Sequence, residues 1–162
     1  CLGMQVVACD IAWDQDFADS YGIDRVDFEE LLSIADFVSL HVPATPETIG
    51  LISEKQLAIM KPGAMLVNAA RGTLIDENSL FLSLKSGHLS GAALDVYGQE
   101  PPNESPLLEL NNVIFSPHLG GETRESQENY SRICMENVRD FFRGQEPPNV
   151  VNSEVLGYLR PR

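Results

Sequence analysis

Short apolar runs, each stopped by a polar, glycine or proline residue and followed by a helix-patterned stretch, recur along this chain and restrict its fold more than any other feature. Gln5-Val6-Val7-Ala8-Cys9 ends in Asp10 and Phe37-Val38-Ser39-Leu40 ends in His41-Val42-Pro43. Ala64-Met65-Leu66-Val67, Gly91-Ala92-Ala93-Leu94 and Val113-Ile114-Phe115 follow. Runs this short and this apolar suit strands of a parallel sheet buried on both faces. The helices between them carry their own start and stop signals. Asp27 can cap a helix through Glu29, Glu30, Leu31 and Leu32, and Ser53 with Gln56 three residues on forms a capping box before Leu57, Ile59 and Met60. Asp76 opens a helix with Leu80, Leu82 and Leu84, which Gly87 is placed to end. A longer helix runs from about Thr123 to Phe142, with Tyr130, Ile133, Cys134, Val138 and Phe141 at helical spacing and Gly144 after it. Strand alternating with helix predicts a parallel sheet with helices on both faces, the α/β class.

Composition narrows the function classes. The 162 residues are 43% hydrophobic, which fits one globular domain. A formal charge of −13 argues against nucleic acid and anionic membrane surfaces as partners. It also repels anions at long range, so an anion site here must be a local feature. Cys1, Cys9 and Cys134 form no spaced pair and no metal pattern, which suits a reducing cytoplasm and predicts no metal site. No apolar run is long enough to span a bilayer.

Chemistry-bearing residues sit at the ends of the apolar runs. Arg71 follows Asn68-Ala69-Ala70, Glu100-Pro101 follows Asp95-Val96, and His118 lies in Ser116-Pro117-His118-Leu119-Gly120-Gly121. In an open α/β sheet the ligand crevice lies beyond the carboxyl ends of the strands. An arginine there can grip a carboxylate with two prongs, and a histidine beside a glutamate can move a proton near neutral pH. The combination suits carbonyl–alcohol interconversion on a small organic acid.

These segments resemble the D-isomer-specific 2-hydroxyacid dehydrogenases, the family of D-lactate, D-3-phosphoglycerate and glyoxylate/hydroxypyruvate enzymes. The resemblance rests on Ala35 to Pro43 with Thr48, on Lys61-Pro62-Gly63 through Asn68-Ala69-Ala70-Arg71-Gly72 to Asp76, and on Gly91 to Val96 with Glu100-Pro101 and Pro117-His118-Leu119-Gly120. It implies a Rossmann-like doubly wound sheet that binds NAD. It assigns Arg71 to the substrate carboxylate and carbonyl, His118 to proton transfer and Glu100 to support of that histidine, a carboxylate favouring the imidazolium. It also places Asp10, Val42, Pro43, Thr48, Ala69, Ala70, Asp95 and Gly120 around the cofactor, together with Arg71 and His118. Asp10 would accept hydrogen bonds from the adenosine ribose and repel a 2′-phosphate, which favours NAD over NADP. The family implies a small 2-keto or 2-hydroxy acid as substrate and a homodimer as assembly.

The chain departs from the family pattern, in which a substrate-binding domain and a glycine-rich turn come before the segments matched here. No G-x-G-x-x-G turn occurs, and Cys1-Leu2-Gly3-Met4 reads as the end of a first helix. The expected fold is therefore a doubly wound sheet lacking its first strand and glycine-rich turn. Residues 1–150 form an N-terminally incomplete NAD-binding domain and 151–162 a tail. On this reading the isolated polypeptide turns over little, and a non-enzymatic NAD(H)-binding or scaffolding module, or an inactive remnant, stands as the alternative. Outside the site, His88 is expected in a surface loop and Trp13 with Phe17 in local packing; His41 is left open between cofactor contact and structural role.

Overall fold

The computed structural model describes residues 3–156, which pack as two compact units divided between His118 and Leu119. The expected nucleotide domain, 1–150, spans both units. In the first unit β1 (Val6–Ala8) pairs in parallel with β2 (Ile23–Arg25), joined by α1 (Gln15–Tyr21). After α2 (Phe28–Ile34), a second parallel sheet takes β3 (Phe37–Leu40), β4 (Met65–Asn68), β5 (Gly91–Leu94) and β6 (Val113–Phe115) in that order. The crossovers run through α3 (Glu54–Ile59) between β3 and β4 and α4 (Glu77–Lys85) between β4 and β5. A 3₁₀ turn at Pro106–Glu109 precedes β6. Among the described residues no strand bridges β1 to β3.

The sheet alternates as a strand must. Val38, Leu40, Leu66, Asn68, Ala92 and Leu94 point to one face and are buried. There they meet Leu32, Leu57, Leu80 and Leu84 from the three helices, together with Ile52, Met60, Leu74, Leu89 and Leu107. Each fully buried leucine contributes roughly 2 kcal/mol relative to exposure. On the opposite face Phe37, Met65 and Ile114 stay exposed. Leu82 also lies outside the core, 64% exposed, so of the three leucines of α4 only Leu80 and Leu84 are buried.

Caps explain where the helices start. Asp76 accepts from the Ser79 N–H at 2.7 Å and Asp14 from the Phe17 N–H at 2.9 Å. Gln56 closes its box by accepting from the Ser53 N–H at 3.4 Å and the Ser53 hydroxyl at 2.6 Å. Asp27 stands at the N-cap of α2 but its side chain makes no capping bond, so the helix starts there without it. Gly87 follows α4 at φ 78°, the left-handed geometry that a helix end favours.

Trp13 and Phe17 pack locally, each with its own partner. Phe17 packs on Tyr21 with ring centroids 4.6 Å apart, while Trp13 carries the Arg25 guanidinium 5.3 Å from its own ring. His88 lies in the loop after α4 and is half-buried; its Nε2 meets the Leu57 carbonyl at 3.0 Å and ties this loop to α3.

The second unit holds α5 (Arg124–Phe142), capped by Thr123 accepting from the Ser126 N–H at 3.1 Å. Its apolar positions Tyr130, Met135, Val138 and Phe142 are exposed. No helix among the described residues is long and apolar enough to cross a membrane.

Candidate active site at the carboxyl edge of the sheet

Register brings the site together. Leu40, Asn68 and Leu94 are paired across β3, β4 and β5, and Leu94 is paired with Phe115 of β6. The residues that follow therefore emerge at one end of the sheet: His41, the Ala69–Arg71 turn, Asp95, and Ser116 to His118. This is the carboxyl edge, where parallel sheets leave their ligand crevice.

Asn68 shapes the first of these turns. Only 1% exposed, it accepts from the Ala70 N–H at 3.0 Å and donates to the Arg71 carbonyl at 2.9 Å. A buried amide with both ends bonded locks the turn that presents Arg71. The Arg71 side chain is exposed, donates to the Ala70 carbonyl at 2.6 Å and has no ion pair among the described residues. In so acidic a chain, a guanidinium without an acid partner can still take an incoming carboxylate. Behind it, a Cβ on Gly72 would collide with the backbone carbonyl of Tyr97, so only glycine lets the Arg71 turn lie directly against the β5 loop.

His118 and Glu100 meet. The imidazole Nδ1 lies 2.9 Å from Glu100 Oε2 and 3.1 Å from Oε1. A carboxylate needs a donor at that distance, so Nδ1 carries the proton and Nε2 is the atom free to exchange one with a substrate. Nε2 has no hydrogen bond among the described residues. His118 holds φ 55°, a left-handed backbone rarely taken by residues other than glycine and typical of functional sites. The Glu100 carboxyl is held below the usual glutamate range, first by the His118 hydrogen bond and then by the Tyr97 N–H, which reaches Oε1 at 3.2 Å. Partial desolvation works the other way.

Tyr97 and Asp95 brace the pair, and sequence pattern shows neither bracing contact. The buried Tyr97 hydroxyl lies 2.7 Å from the Ser116 carbonyl and 3.1 Å from the Leu94 carbonyl, one proton serving two acceptors. Burial, with carboxylates nearby, pushes the Tyr97 phenol up, so it remains a donor through the neutral range. Asp95, 8% exposed, accepts from the Ser116 hydroxyl at 2.5 Å. The segment entering His118 is thus tied to β5 from both sides.

Of the other expected positions, Asp10, Val42, Pro43 and Thr48 stand on loops after β1 and β3. Asp10 is exposed at the end of β1, its Oδ1 accepting from the Ala12 N–H at 2.8 Å. Arg25 from β2 approaches its backbone, Nη2 lying 3.5 Å from the Asp10 carbonyl while the guanidinium rests on Trp13. The carboxylate itself keeps an oxygen for a ribose hydroxyl. Val42 and Pro43 open the loop after β3, and Thr48 folds back on it, donating to the Pro43 carbonyl at 2.7 Å and accepting from the Thr45 N–H at 2.7 Å. The Thr48 hydroxyl thus serves its own turn. His41 Nε2 meets Ser39 Oγ at 2.9 Å. Ala69 and Ala70 leave room for a close-lying ring at the end of β4. Gly120 falls in the second unit. Among the described residues no cluster could hold a metal ion.

A dinucleotide fits this donor set: an exposed carboxylate after β1 for a ribose diol, small side chains after β4, and a proton-carrying pair after β5 and β6. Comparison with known proteins agrees. Residues 1–120 match the model of the D-isomer specific 2-hydroxyacid dehydrogenase NAD-binding domain. Glyoxylate reductase of Thermococcus litoralis is 42% identical over 155 residues, covering 96% of this chain and 47% of that protein. D-3-phosphoglycerate dehydrogenase of Methanocaldococcus jannaschii is 44% identical over 166 residues, covering 99% and 32%. The holo form of D-mandelate dehydrogenase from Rhodotorula graminis superposes with a TM-score of 0.84 at 38% identity, over 91% of this chain and 44% of that one. The chain thus spans between about a third and a half of the length of these relatives. It belongs to the D-isomer specific 2-hydroxyacid dehydrogenase family and carries that family's NAD-binding domain.

Proposed function

We propose that this chain provides the NAD site and the proton-transfer machinery for interconverting a 2-keto acid and a D-2-hydroxy acid. The observation that carries the reading is His118 Nδ1 bonded to the Glu100 carboxylate at 2.9 Å with Nε2 left free. Arg71 binds the substrate carboxylate with its two-pronged guanidinium and orients the carbonyl. In reduction the imidazolium of His118 gives its Nε2 proton to the carbonyl oxygen, which becomes the hydroxyl, and the ring ends neutral. In oxidation the neutral Nε2 takes that proton back. Glu100 holds the ring in the tautomer that keeps Nε2 outward and stabilises the imidazolium. NAD, when bound, supplies or accepts the hydride at the substrate carbon. Asp10 holds the adenosine ribose, and Val42, Pro43, Thr48, Ala69, Ala70 and Asp95 surround the rest of the dinucleotide. The same reading carries a homodimer, supported by the exposed apolar side chains of α5, and a cytoplasmic location, supported by the unpaired cysteines Cys9 and Cys134.

The test is NADH oxidation by the enzyme carrying this chain, with glyoxylate, hydroxypyruvate and related 2-keto acids in turn. Oxidation is expected only with a keto acid present. His118→Ala should lower kcat about a hundredfold or more, as loss of a general acid does. Arg71→Ala should raise KM and lower kcat together. Turnover undiminished in His118→Ala would overturn the assignment.

A further inference from the structure

The loop bearing Glu100 is pinned at both ends by one side chain that the proton-transfer scheme does not use. Glu77 stands in the first turn of α4, six residues beyond Arg71. Its Oε1 accepts from the Gly98 N–H at 2.8 Å and its Oε2 from the Ser105 hydroxyl at 2.7 Å. These are the two ends of the segment 98–105. Glu77 has no ion pair among the described residues, so both oxygens serve this loop. The fit is close: a Cβ on Gly98 would lie 3.2 Å from Glu77 Oε1, tighter than most side chains tolerate. Successive amides are therefore held by different carboxylates, the Tyr97 N–H by Glu100 and the Gly98 N–H by Glu77. Inside the loop, the Asn103 N–H bonds the Pro101 carbonyl at 2.9 Å and the Ser105 N–H the Pro102 carbonyl at 3.1 Å, so the tether at Ser105 is passed back toward Pro101.

We propose that Glu77 is a positioning residue for the Glu100–His118 pair: through Gly98 and Ser105 it fixes the loop that aims Glu100 at the imidazole. The proposal rests on the reading of that pair as the proton-transfer site. Glu77 touches neither His118 nor Glu100 and acts through backbone placement alone. It also couples two halves of the site, since the segment that turns out Arg71 continues into the helix that anchors Glu100. Both contacts are hydrogen bonds to neutral donors, so geometry and not charge is what Glu77 supplies. Glutamine can repeat it, its amide oxygen taking the Gly98 N–H and its NH₂ donating to the Ser105 hydroxyl. Alanine cannot.

The test has two independent readouts. First, ring ¹⁵N shifts of His118 are recorded in this chain at about pH 9, where an ordinary imidazole is neutral. The native chain should show the proton held on Nδ1. Glu77→Ala should shift the ring toward the tautomer mixture of a free imidazole, and Glu77→Gln should restore the native shifts. Second, in NADH-dependent reduction by the enzyme carrying this chain, Glu77→Ala should lower kcat about tenfold with KM for the keto acid unchanged, a displaced acid/base group slowing the chemistry rather than binding. If Glu77→Ala does not fold, Ser105→Ala removes one tether and should move the ring shifts the same way by less. A folded Glu77→Ala with native ring shifts, or a Glu77→Gln as impaired as alanine, overturns the proposal. Ring shifts that move as expected, in a protein whose native form reduces no keto acid, support the positioning role and defeat the proposed reaction instead.

Discussion

Arg71, Glu100 and His118 stand on loops tied to one another, whereas Asp10 stands on a loop tied mainly to itself. After β4, β5 and β6 the ties come in series: Asn68 closes the Arg71 turn, Gly72 lies against Tyr97, Glu77 reaches Gly98 and Ser105, and Tyr97 reaches Ser116. After β1, the Asp10 carboxylate bonds the Ala12 N–H, and Arg25 touches the Asp10 carbonyl at the edge of hydrogen-bond range. The sheets beneath differ in the same way. The four-stranded sheet rests on a core of fully buried leucines, while α1 buries only Ala18 and leaves Phe17 and Tyr21 exposed, as is Ile11 before it. The contrast follows from the work proposed for each edge. Proton transfer fails when atoms are misplaced by about an ångström. Holding a ribose diol requires one carboxylate on a short loop and tolerates more play.

Breaking the contact that joins the loops should have the largest effect. Gly72→Ala places a methyl group where the Tyr97 carbonyl lies, and backbone on both sides resists the shift. Overpacking of this kind costs about 3 kcal/mol at the upper end of the usual range, so thermal unfolding should occur many degrees lower, or folding should fail. Gly121→Ala, with open space around it, is the control and should leave the melting temperature unchanged. A stable Gly72→Ala protein would mean that the Arg71 and Glu100 loops move independently.

Why the two edges were not equally legible in the sequence is a matter of range. Strands β3 to β6 show themselves because each is a run of apolar residues bounded by breakers, and Arg71, Glu100 and His118 attract notice because charged and titratable groups follow those runs. β2 has no such run: Ile23-Asp24-Arg25 carries a single apolar residue, and α1 shows no apolar stripe because it has so little to bury. Glu77 and Tyr97 are hidden for another reason. Glu77 looks like an ordinary acid in the first turn of a helix, where acids are common. Its contacts lie 21 and 28 residues away, and no local period reports them. Nothing local marks Arg25 as a neighbour of Asp10, because the parallel pairing of β1 with β2 brings it there from fifteen residues on. Gly72 was visible as part of a motif, but its reason, the Tyr97 carbonyl behind it, is a tertiary fact.

A smaller effect is expected at the looser edge. On the proposed placement of the cofactor, Asp10→Ala removes a charged hydrogen-bond acceptor from the adenosine ribose, so NADH affinity should fall roughly tenfold. NADPH should lose less or gain, because the charge that repels a 2′-phosphate is gone. The melting temperature should hardly change, the loop being fastened to little else. Calorimetric titration with each nucleotide measures this. An Asp10→Ala protein that unfolds as readily as Gly72→Ala would erase the contrast between the edges.

The smallest expected effect lies where the rigid edge begins, at the cap of α4. Asp76 accepts from the Ser79 N–H at 2.7 Å, and bonds from the Ser79 backbone and hydroxyl hold its carboxyl below the usual aspartate range. Removing such a cap costs about 1 kcal/mol, which for a chain of this length lowers the melting temperature by about 3 °C. The sign of the pH dependence follows from the depressed folded value. The contribution is complete above the unfolded aspartate range, about pH 4, and is lost as pH falls through the folded value. Native and Asp76→Ala proteins should therefore differ at neutral pH and converge in acid, while Asp76→Asn, which caps without a charge, should stay near the native melting temperature at neutral pH. The magnitude carries the information about the edge, because Asp76 caps the turn that holds Glu77. A loss near 1 kcal/mol means that the cap serves α4 alone. A loss twice that or more, with the Gly98 amide exchanging faster with solvent, means that loosening the first turn also frees the 98–105 loop, so that cap, clamp and proton-transfer pair form one cooperative unit.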